Sequence, residues 1–340
     1  MDTIFEYTRN EIEDMLSSGG YKKFSATQLF GWIYKKKTFD FLLMTNLSKD
    51  LREFLNSAFS MEFPVIDKKE ISKDSTVKYL YSLKDNSKVE AVLMHHSYGN
   101  SICVSSQVGC NMGCAFCASG LKKKTRNLRA AEMVSMILQT EREENEKITH
   151  VVIMGTGEPL DNLDEVLKFI NIINDPYGLE IGIRHITLST SGIVPAIYKL
   201  SEKNIPINLA ISLHAPTDEL RTRIMPINKA YPLRDLIKAA SDYFDVTGRR
   251  ITFEYLLLKG INDSLLMADK LADIIRGLNA YVNLIPYNPV KEFKFEASDE
   301  KSVMAFYSRL KERGINVTLR KRMGDDISAA CGQLRSTVKS

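Results

Sequence analysis

Three cysteines, Cys110, Cys114 and Cys117, stand close together directly after an apolar, strand-like run. Glycines at positions 109 and 113 flank the first of them. Glycine adopts backbone conformations that other residues avoid, so a short loop here could aim three sulfur atoms at one place. Thiolates bind soft metal centres, and a cluster held by three protein ligands keeps one iron open for a substrate or cofactor. The spacing therefore predicts a metal or iron–sulfur site with an open position.

Two other interpretations of this stretch stay open at this point. A closed structural zinc site has four protein ligands, and Cys103 could supply the fourth. Alternatively, the three thiols could be small apolar side chains buried in a core. The close spacing in a chain with only 5 cysteines favours the metal or iron–sulfur site.

The cysteine spacing, with the aromatic Phe116 before the last cysteine, resembles the signature of radical S-adenosylmethionine (SAM) enzymes. Further segments resemble the RlmN family of RNA methyltransferases within that superfamily; they are residues 103–110, 154–159, 212–216, 225–228 and 326–333. The resemblance implies that Cys110, Cys114 and Cys117 hold a 4Fe-4S cluster. It also implies that the fourth iron binds SAM through its amino and carboxylate groups.

The same resemblance assigns roles to three residues outside the cysteine loop. Cys331 would carry a methyl group taken from one SAM, while a second SAM is cleaved to start the radical reaction. Cys103 would then form a transient disulfide with Cys331 and release the product, and Glu90 would accept a proton from the substrate. From the residues alone, Cys331 could be a small buried hydrophobe. Strand alternation could likewise place Glu90 on a polar, solvent-facing side.

Several residues at predicted strand ends match the family's SAM contacts. They are Gly157, Glu158, Ser189, Ser212, Leu213, His214 and Asn288. The glycines beside Glu158 would let the backbone approach a ligand, and the carboxylate could accept hydrogen bonds from an ammonium group. For His214, the alternative is a histidine that only satisfies its own hydrogen bonds at a strand end.

The resemblance implies methylation of C2 of adenine 2503 in 23S rRNA and of adenine 37 in tRNA. The main alternative is the related Cfr-type reaction at C8 of the same rRNA adenine, although Pro159 and Pro216 match the C2 enzymes. A different class is a non-catalytic RNA-binding protein with a structural metal, which leaves Cys331 without a role. A third is a radical SAM enzyme for a small molecule, against which Cys103 and Cys331 argue.

Composition limits the class of protein and the partners. The chain has 340 residues, 44% of them hydrophobic, and a net charge of +4. No apolar run is long enough to span a bilayer, and the N-terminus lacks a secretory signal pattern. An odd number of cysteines does not fit a disulfide framework and favours the cytoplasm. The resemblance implies 23S rRNA, tRNA and a small redox protein as partners, and we expect a monomer and no membrane. Basic clusters that could face RNA are residues 22–23, 35–37, 122–126, 249–250 and 320–322.

The elements that must position these residues follow three patterns. Residues 1 to about 60 are predicted to be helical, with a capping box at Ser25 and Gln28 and another helix beginning near Ser48. Residues 63 to about 97 alternate as in a small antiparallel sheet, with a turn at residues 85–87. From residue 101, strands and helices alternate. The predicted strands are 102–105, 149–154, 185–190, 207–213, 250–257, 280–285 and 316–319; the predicted helices are 130–142, 163–173, 232–243, 265–275 and 299–311.

Alternating strands and helices predict a parallel sheet with crossover helices. Six or so units would make an α/β fold, a partial (β/α)6 barrel like that of radical SAM enzymes, with functional residues at the carboxyl ends of its strands. Together with these patterns, the resemblance implies an accessory RNA-docking domain, α+β, at residues 1–95 and a radical SAM core at residues 96–340, which ends in the loop that carries Cys331.

Overall fold

The structure is a computed structural model that describes residues 1–334; residues 335–340, at the end of the predicted core, lie outside the described part. The first sixty residues are mainly helical, as the sequence predicts. Their elements are β1 (Asp2–Thr3), α1 (Arg9–Ser18), α2 (Phe24–Phe30), α3 (Lys49–Ala58) and β2 (Phe59–Ser60). The short strands β1 and β2 pair in parallel and bring the two ends of this segment together.

Helix caps in this segment differ in part from the prediction. The capping box predicted at Ser25 is wrong, because α2 begins at Phe24 and its N-cap, Lys23, already has helical backbone angles and no side-chain cap bond. A capping residue needs an extended backbone, and Thr8 has one; its side chain and that of Glu11 form the capping box of α1 instead. The predicted start of α3 is confirmed, since Ser48 accepts a hydrogen bond from the N–H of Leu51.

The remaining strands form one large sheet and one short pair. In chain order they are β3 (Val65–Ile71), β4 (Val77–Ser82), β5 (Lys88–His96), β6 (Gly99–Val104), β7 (Gln107–Val108), β8 (Arg126–Asn127), β9 (Ile148–Ile153), β10 (Ile186–Thr190), β11 (Asn208–Ser212), β12 (Ile251–Leu257), β13 (Ala280–Pro286) and β14 (Val317–Leu319). β7 and β8 pair only with each other, and the other ten strands are joined in the order β14-β13-β12-β11-β10-β9-β6-β5-β4-β3.

Helices connect the parallel strands of this sheet. They are α4 (Ala130–Glu144), α5 (Leu163–Asn174), α6 (Val194–Glu202), α7 (Asp218–Ile224), α8 (Leu233–Thr247), α9 (Leu265–Ile274) and α10 (Glu300–Glu312). The sequence prediction did not include α6 and α7. Both are short, and α6 begins with a valine and a proline while α7 is mostly polar, so neither shows a long apolar period.

Strand order confirms the predicted α/β fold. β6 pairs in parallel with β9, and from β9 to β14 each strand pairs in parallel with the next one in the chain. This is the arrangement of a (β/α) barrel. Within residues 1–334, β14 and β3 stand at the two free edges, so the barrel is partial. The carboxyl ends of the parallel strands therefore meet at one edge, where the predicted functional residues lie.

The antiparallel sheet predicted for residues 63–97 is present, but it continues the barrel sheet. β5 pairs with β6 along most of its length, with Val92 opposite Cys103. The amino-terminal helices also share one apolar core with the barrel, which includes Phe5 and Phe30 together with Ile137 of α4. Glu6 accepts a hydrogen bond from the N–H of Ala131 at 3.2 Å. The domain division at residues 95 and 96 stays a prediction.

This shared core predicts that the protein unfolds in one step. Trp32, the only tryptophan of the chain, lies in the amino-terminal segment, so its fluorescence reports that segment, while far-UV circular dichroism reports the whole molecule. We expect the two signals to give the same midpoint in urea. An earlier fluorescence transition would instead indicate an amino-terminal domain that unfolds on its own.

Candidate active site

The cysteine loop is closed at its base by the β7–β8 pair, in which Val108 lies opposite Arg126. The N–H of Cys110 donates to Lys122 O at 3.0 Å, just inside this pair. Gly109 has a φ of +80°, and a Cβ at this position would lie 2.3 Å from Lys123 O. The loop can thus close only with glycine at position 109, which gives the predicted role of this glycine a physical cause.

The three cysteines of the loop line one cavity of about 150 Å³. Burial raises the pKa of each thiol, that of Cys110 to about 11, and the neighbouring thiols raise the pKa of Cys114 further. Half-buried thiols of this kind become thiolates when a cation binds them, because the cation offsets the cost of the charge. Three such thiols around one cavity fit an iron–sulfur cluster.

The ligand atoms around a single metal ion stand closer together than those around an iron–sulfur cluster. Among the described residues, no group of three histidine, cysteine, aspartate or glutamate side chains is arranged to hold one metal ion. In a cluster of several irons each thiolate binds a different iron, so the sulfur atoms stand farther apart than around one zinc ion.

Glu158 lies at the wall of the same cavity and is buried. Its carboxylate accepts hydrogen bonds from the Thr190 hydroxyl at 2.7 Å, the Ser191 N–H at 2.7 Å and the Leu160 N–H at 3.1 Å. Burial raises the pKa of Glu158, while these donors act in the opposite direction. The carboxylate thus has a fixed orientation and keeps room for a further donor.

Gly155 and Gly157, which precede Glu158, have other parts of the protein on the side where a Cβ would lie. A Cβ at Gly155 would lie 2.7 Å from the Ser105 nitrogen, and a Cβ at Gly157 would lie 2.7 Å from the Gln107 Cβ. The sequence-based argument that these glycines admit a ligand was therefore incomplete. They also let the end of β9 approach the segment that follows β6.

The other residues matched to SAM contacts occupy three environments. Gly157, Ser189, Ser212 and His214 line the cavity of the three cysteines. Leu213 is buried in the apolar core, and its N–H donates to Glu254 O. Asn288 lines a second, larger cavity. The structure thus brings most of this set together beside the cysteine loop.

His214 is buried with a φ of +57°, an uncommon conformation for a histidine. Its Nδ1 accepts a hydrogen bond from the Leu256 N–H at 3.0 Å, and its ring packs edge-to-face on Phe116. Burial lowers the pKa of His214 to about 3, and the nearby Arg221 guanidinium acts in the same direction. The ring is therefore a neutral imidazole whose proton is on Nε2.

Sequence reasoning missed Arg221, which is fully buried. Its guanidinium donates to Leu213 O, Ser191 O and Ser212 O at 2.7–3.2 Å and to Asn228 Oδ1 at 3.0 Å. Burial lowers the pKa of Arg221 to about 10, whereas Cys114 and Asp218 raise it. Its position five residues after the 212–216 motif was the available signal, although a polar helix such as α7 looks solvent-exposed in sequence.

The second cavity, of about 750 Å³, is lined by Cys103 and Cys331. The pKa of Cys103 is raised to about 12, by burial first and by Cys331 second, while Arg320 and the Met154 N–H act in the opposite direction. The two thiols predicted to form a transient disulfide are thus near neighbours. Met154 lines both cavities, so this residue lies between the thiol pair and the cysteine loop.

Residues 324–334, here called the Cys331 loop, are anchored on both sides. Gly332 O accepts from the Ala118 N–H at 2.8 Å, and Leu334 O accepts from the Ser119 hydroxyl at 2.7 Å. On the opposite side, Ile327 O accepts from the Lys78 ammonium at 2.6 Å. The loop therefore connects the cysteine loop with the antiparallel part of the sheet.

Glu90 is buried on β5, so the solvent-facing alternative is wrong. Its carboxylate lies 3.8 Å from the ammonium of Lys78, the same group that donates to the Cys331 loop. Lys78 is a second residue that sequence reasoning missed. It lies opposite Val92, which is itself opposite Cys103, so strand alternation placed Lys78 on the face that leads to the thiols.

Gly109→Ala tests the closure of the cysteine loop. We expect the variant to lose most of its iron after anaerobic reconstitution, because the added Cβ meets the Lys123 carbonyl. Gly248→Ala is the matched control, since Gly248 has a φ of +63° but nothing within 4 Å of its Cβ position. Iron and acid-labile sulfide are measured per protein; equal loading of both variants would contradict the steric argument.

The low pKa of His214 predicts a pH dependence. In the unfolded chain the histidine pKa is about 6.5, so the folded state binds fewer protons below that pH. The stabilisation from the neutral ring is therefore complete above pH about 6.5 and decreases as the pH falls toward the folded pKa. Histidine-selective ¹⁵N NMR should show the His214 ring unchanged between about pH 8 and about pH 5. A titration in that interval would contradict this environment, and the urea-unfolded chain provides the reference.

Comparisons with known proteins agree with this geometry. The family model of the radical SAM superfamily matches residues 104–271, and the model of the ribosomal RNA large subunit methyltransferase N-terminal domain matches residues 3–61. A radical SAM methyltransferase from Sphaerobacter thermophilus has a similar solved structure, with a TM-score of 0.93, 40% identity, and coverage of 99% of this chain and 100% of that one.

Curated relatives are similar over nearly the whole chain. The probable dual-specificity RNA methyltransferase RlmN of Spiroplasma citri is 51% identical over 99% of this chain and 98% of its own length. The proteins of the same description from Geobacillus kaustophilus and Bacillus subtilis are 50% and 49% identical, over 99% and 98% of this chain and 93% of each relative. The chain therefore belongs to the RlmN family of radical SAM RNA methyltransferases.

Proposed function

We propose that this enzyme methylates C2 of adenine in 23S rRNA and in tRNA through a methyl group carried on Cys331. The dual specificity in the names of its relatives supports the two RNA substrates. The observation that carries the proposal is the placement of Cys103 and Cys331 in one cavity, next to the cavity of the three loop cysteines. Neither a structural metal site nor a small-molecule radical enzyme explains this second pair of thiols.

Cys110, Cys114 and Cys117 would hold a 4Fe-4S cluster, and the walls of their cavity would hold SAM. Bound together, the cluster and SAM would supply an electron and a reactive radical for chemistry at an unreactive carbon. The Glu158 carboxylate would accept hydrogen bonds from the SAM ammonium group, which strengthens the contact because both groups are charged. Ser189, Ser212 and His214 would orient the rest of SAM from neighbouring strand ends; Gly157, Leu213 and Asn288 complete the proposed contact set.

Adenine C2 lies between two ring nitrogens and is a poor nucleophile, so an ordinary methyl transfer from SAM would not modify it. Cys331, as a thiolate, would take the methyl group of one SAM by displacement at that carbon. Loss of one hydrogen atom from this S-methyl group, to the radical that a second SAM would supply, would let its carbon add to C2 and link Cys331 to the RNA. Cys103 would attack the sulfur of Cys331, forming a disulfide and breaking the bond between sulfur and carbon. The methylated RNA would leave, and a reductant would restore both thiols.

Glu90 would accept the proton that leaves C2. It is buried, and the Lys78 ammonium lies 3.8 Å from its carboxylate. Because Lys78 also binds Ile327 O in the Cys331 loop, one cation would orient both the base and the methyl carrier. Lys78 would act here as a positioning residue.

Cellular partners follow from this reaction. A small redox protein would supply the electron, and the substrates place the enzyme in the cytoplasm, where we propose that it acts as a monomer. Among residues 1–334, no helix combines the length and the apolar character required to cross a membrane.

Mass spectrometry of nucleosides tests the proposal. The holoenzyme is incubated anaerobically with SAM, a reductant and RNA, and the rRNA and tRNA are digested separately. We expect 2-methyladenosine in both pools and none with Cys331→Ala, in which SAM cleavage should persist because the cluster cavity is intact. If 8-methyladenosine is found instead, the methylated carbon is C8 and not C2. Undiminished activity of Cys331→Ala would rule out the methyl carrier.

A further inference from the structure

Four aromatic rings pack one against the next at the amino-terminal ends of the strands. This is the end of the barrel opposite the cysteine loop. His185 stacks on His150 at 4.2 Å, Tyr98 packs edge-on against His150 at 5.0 Å, and His96 stacks on Tyr98 at 4.7 Å and 9°. Tyr98 is 65% exposed, and His185 is also exposed. We call these residues the aromatic ladder.

Two rings of the aromatic ladder stand at the mouth of the larger cavity, and the other two continue the row outside the cavity lining. His96 and Tyr98 line the cavity on this side, and Arg249, Arg250 and Tyr281 line it at the amino-terminal ends of β12 and β13. The Arg250 guanidinium lies 3.6 Å from the centre of the Tyr281 ring, which presents a second flat, cationic surface. The Arg249 Nε is buried, and within the described residues it has no hydrogen-bond partner.

Charge along this cavity has one dominant sign. Its charged lining residues are one carboxylate, Glu254, and the cations Arg249, Arg250, Arg320, Lys321 and Arg322. A concave surface lined by cations concentrates polyanions. The same cavity continues from the aromatic ladder to Cys103 and Cys331. An anionic chain that enters here would therefore be led toward the two thiols.

We propose that this mouth binds a single-stranded segment of the RNA substrate, with bases stacked on Tyr98 and His185 and phosphates paired with Arg249 and Arg250. Stacking on aromatic rings together with phosphate neutralisation is the usual means of binding unpaired nucleic acid. The inference rests on the proposed RNA substrate and adds a contact surface at the barrel end away from the cluster. The alternative is that the ladder only packs the β5–β6 turn onto its neighbours.

Fluorescence anisotropy with the full-length holoenzyme and a labelled oligoadenylate of about twelve nucleotides tests the proposal. Tyr98→Ala should weaken binding by about tenfold, because a stacked base is lost, and Tyr98→Phe should bind as the wild type does. Tyr177→Ala is the matched control, since Tyr177 is also exposed and packed against an arginine but lies outside the cavity lining. Arg250→Gln should reduce the slope of log affinity against log salt by about 0.7.

Each outcome decides one of the two proposals. Unchanged binding and salt slope in every variant would overturn the RNA site, and so would a lower melting temperature of Tyr98→Ala without weaker binding, which would leave the ladder a packing device. The nucleoside assay is run on the same proteins. If the wild type forms no 2-methyladenosine, and Tyr98→Ala binds the oligoadenylate more weakly than the wild type does, the proposed function fails and the RNA site stands. If the wild type forms 2-methyladenosine and all variants bind the oligoadenylate as the wild type does, the proposed function stands and the RNA site fails.

Discussion

Burial of ionisable groups is the constraint on which this site depends. Three half-buried thiols and the buried Glu158 and Arg221 lie at or beside the carboxyl ends of the strands, and in each case desolvation is the main cause of the pKa shift. Charge in such a place is costly unless it is paired or hydrogen-bonded. The local structure offsets this cost with donors around Glu158 and carbonyl oxygens around Arg221. Hydrogen bonds from Met112 to Cys110 and from Ser119 and Gly120 to Cys117 offset part of this cost for the thiols, and a bound cluster would offset the rest.

Arg221 illustrates how the same groups also fix the backbone. Its carbonyl partners, Ser191, Leu213 and Ser212, lie at or just after the ends of β10 and β11, next to residues that line the cysteine cavity. A buried guanidinium has five donors in a rigid plane, so it can hold several carbonyls at fixed directions. The positive charge lies near Cys114, where a thiolate-bound cluster would concentrate negative charge.

Much of this arrangement could be predicted from sequence, because local pattern determined it. Strand and helix alternation fixed the barrel, the spacing of Cys110, Cys114 and Cys117 indicated their common cavity, and Ser48 marked a helix start. The misses required tertiary contacts. Ser25 matched a capping pattern, but Lys23 was already helical; the glycines before Glu158 face residues 105–107, which are distant in sequence. Arg221 and Lys78 look solvent-exposed by residue type, and only the fold buries them.

The Cys331 loop shows why the antiparallel strands belong to the same sheet as the barrel. The loop is held at Ala118 and Ser119 beside the cysteine loop and at Lys78 on β4. Its two anchors therefore lie on opposite sides of Cys331, and their separation is set by the pairing of β4, β5 and β6. A flexible linker between two domains would let that distance vary. Continuous strand pairing instead holds Glu90, Cys103 and the Cys331 loop at fixed positions relative to the cysteine loop. The proposed transfer of carbon from Cys331 to adenine would depend on such a fixed geometry.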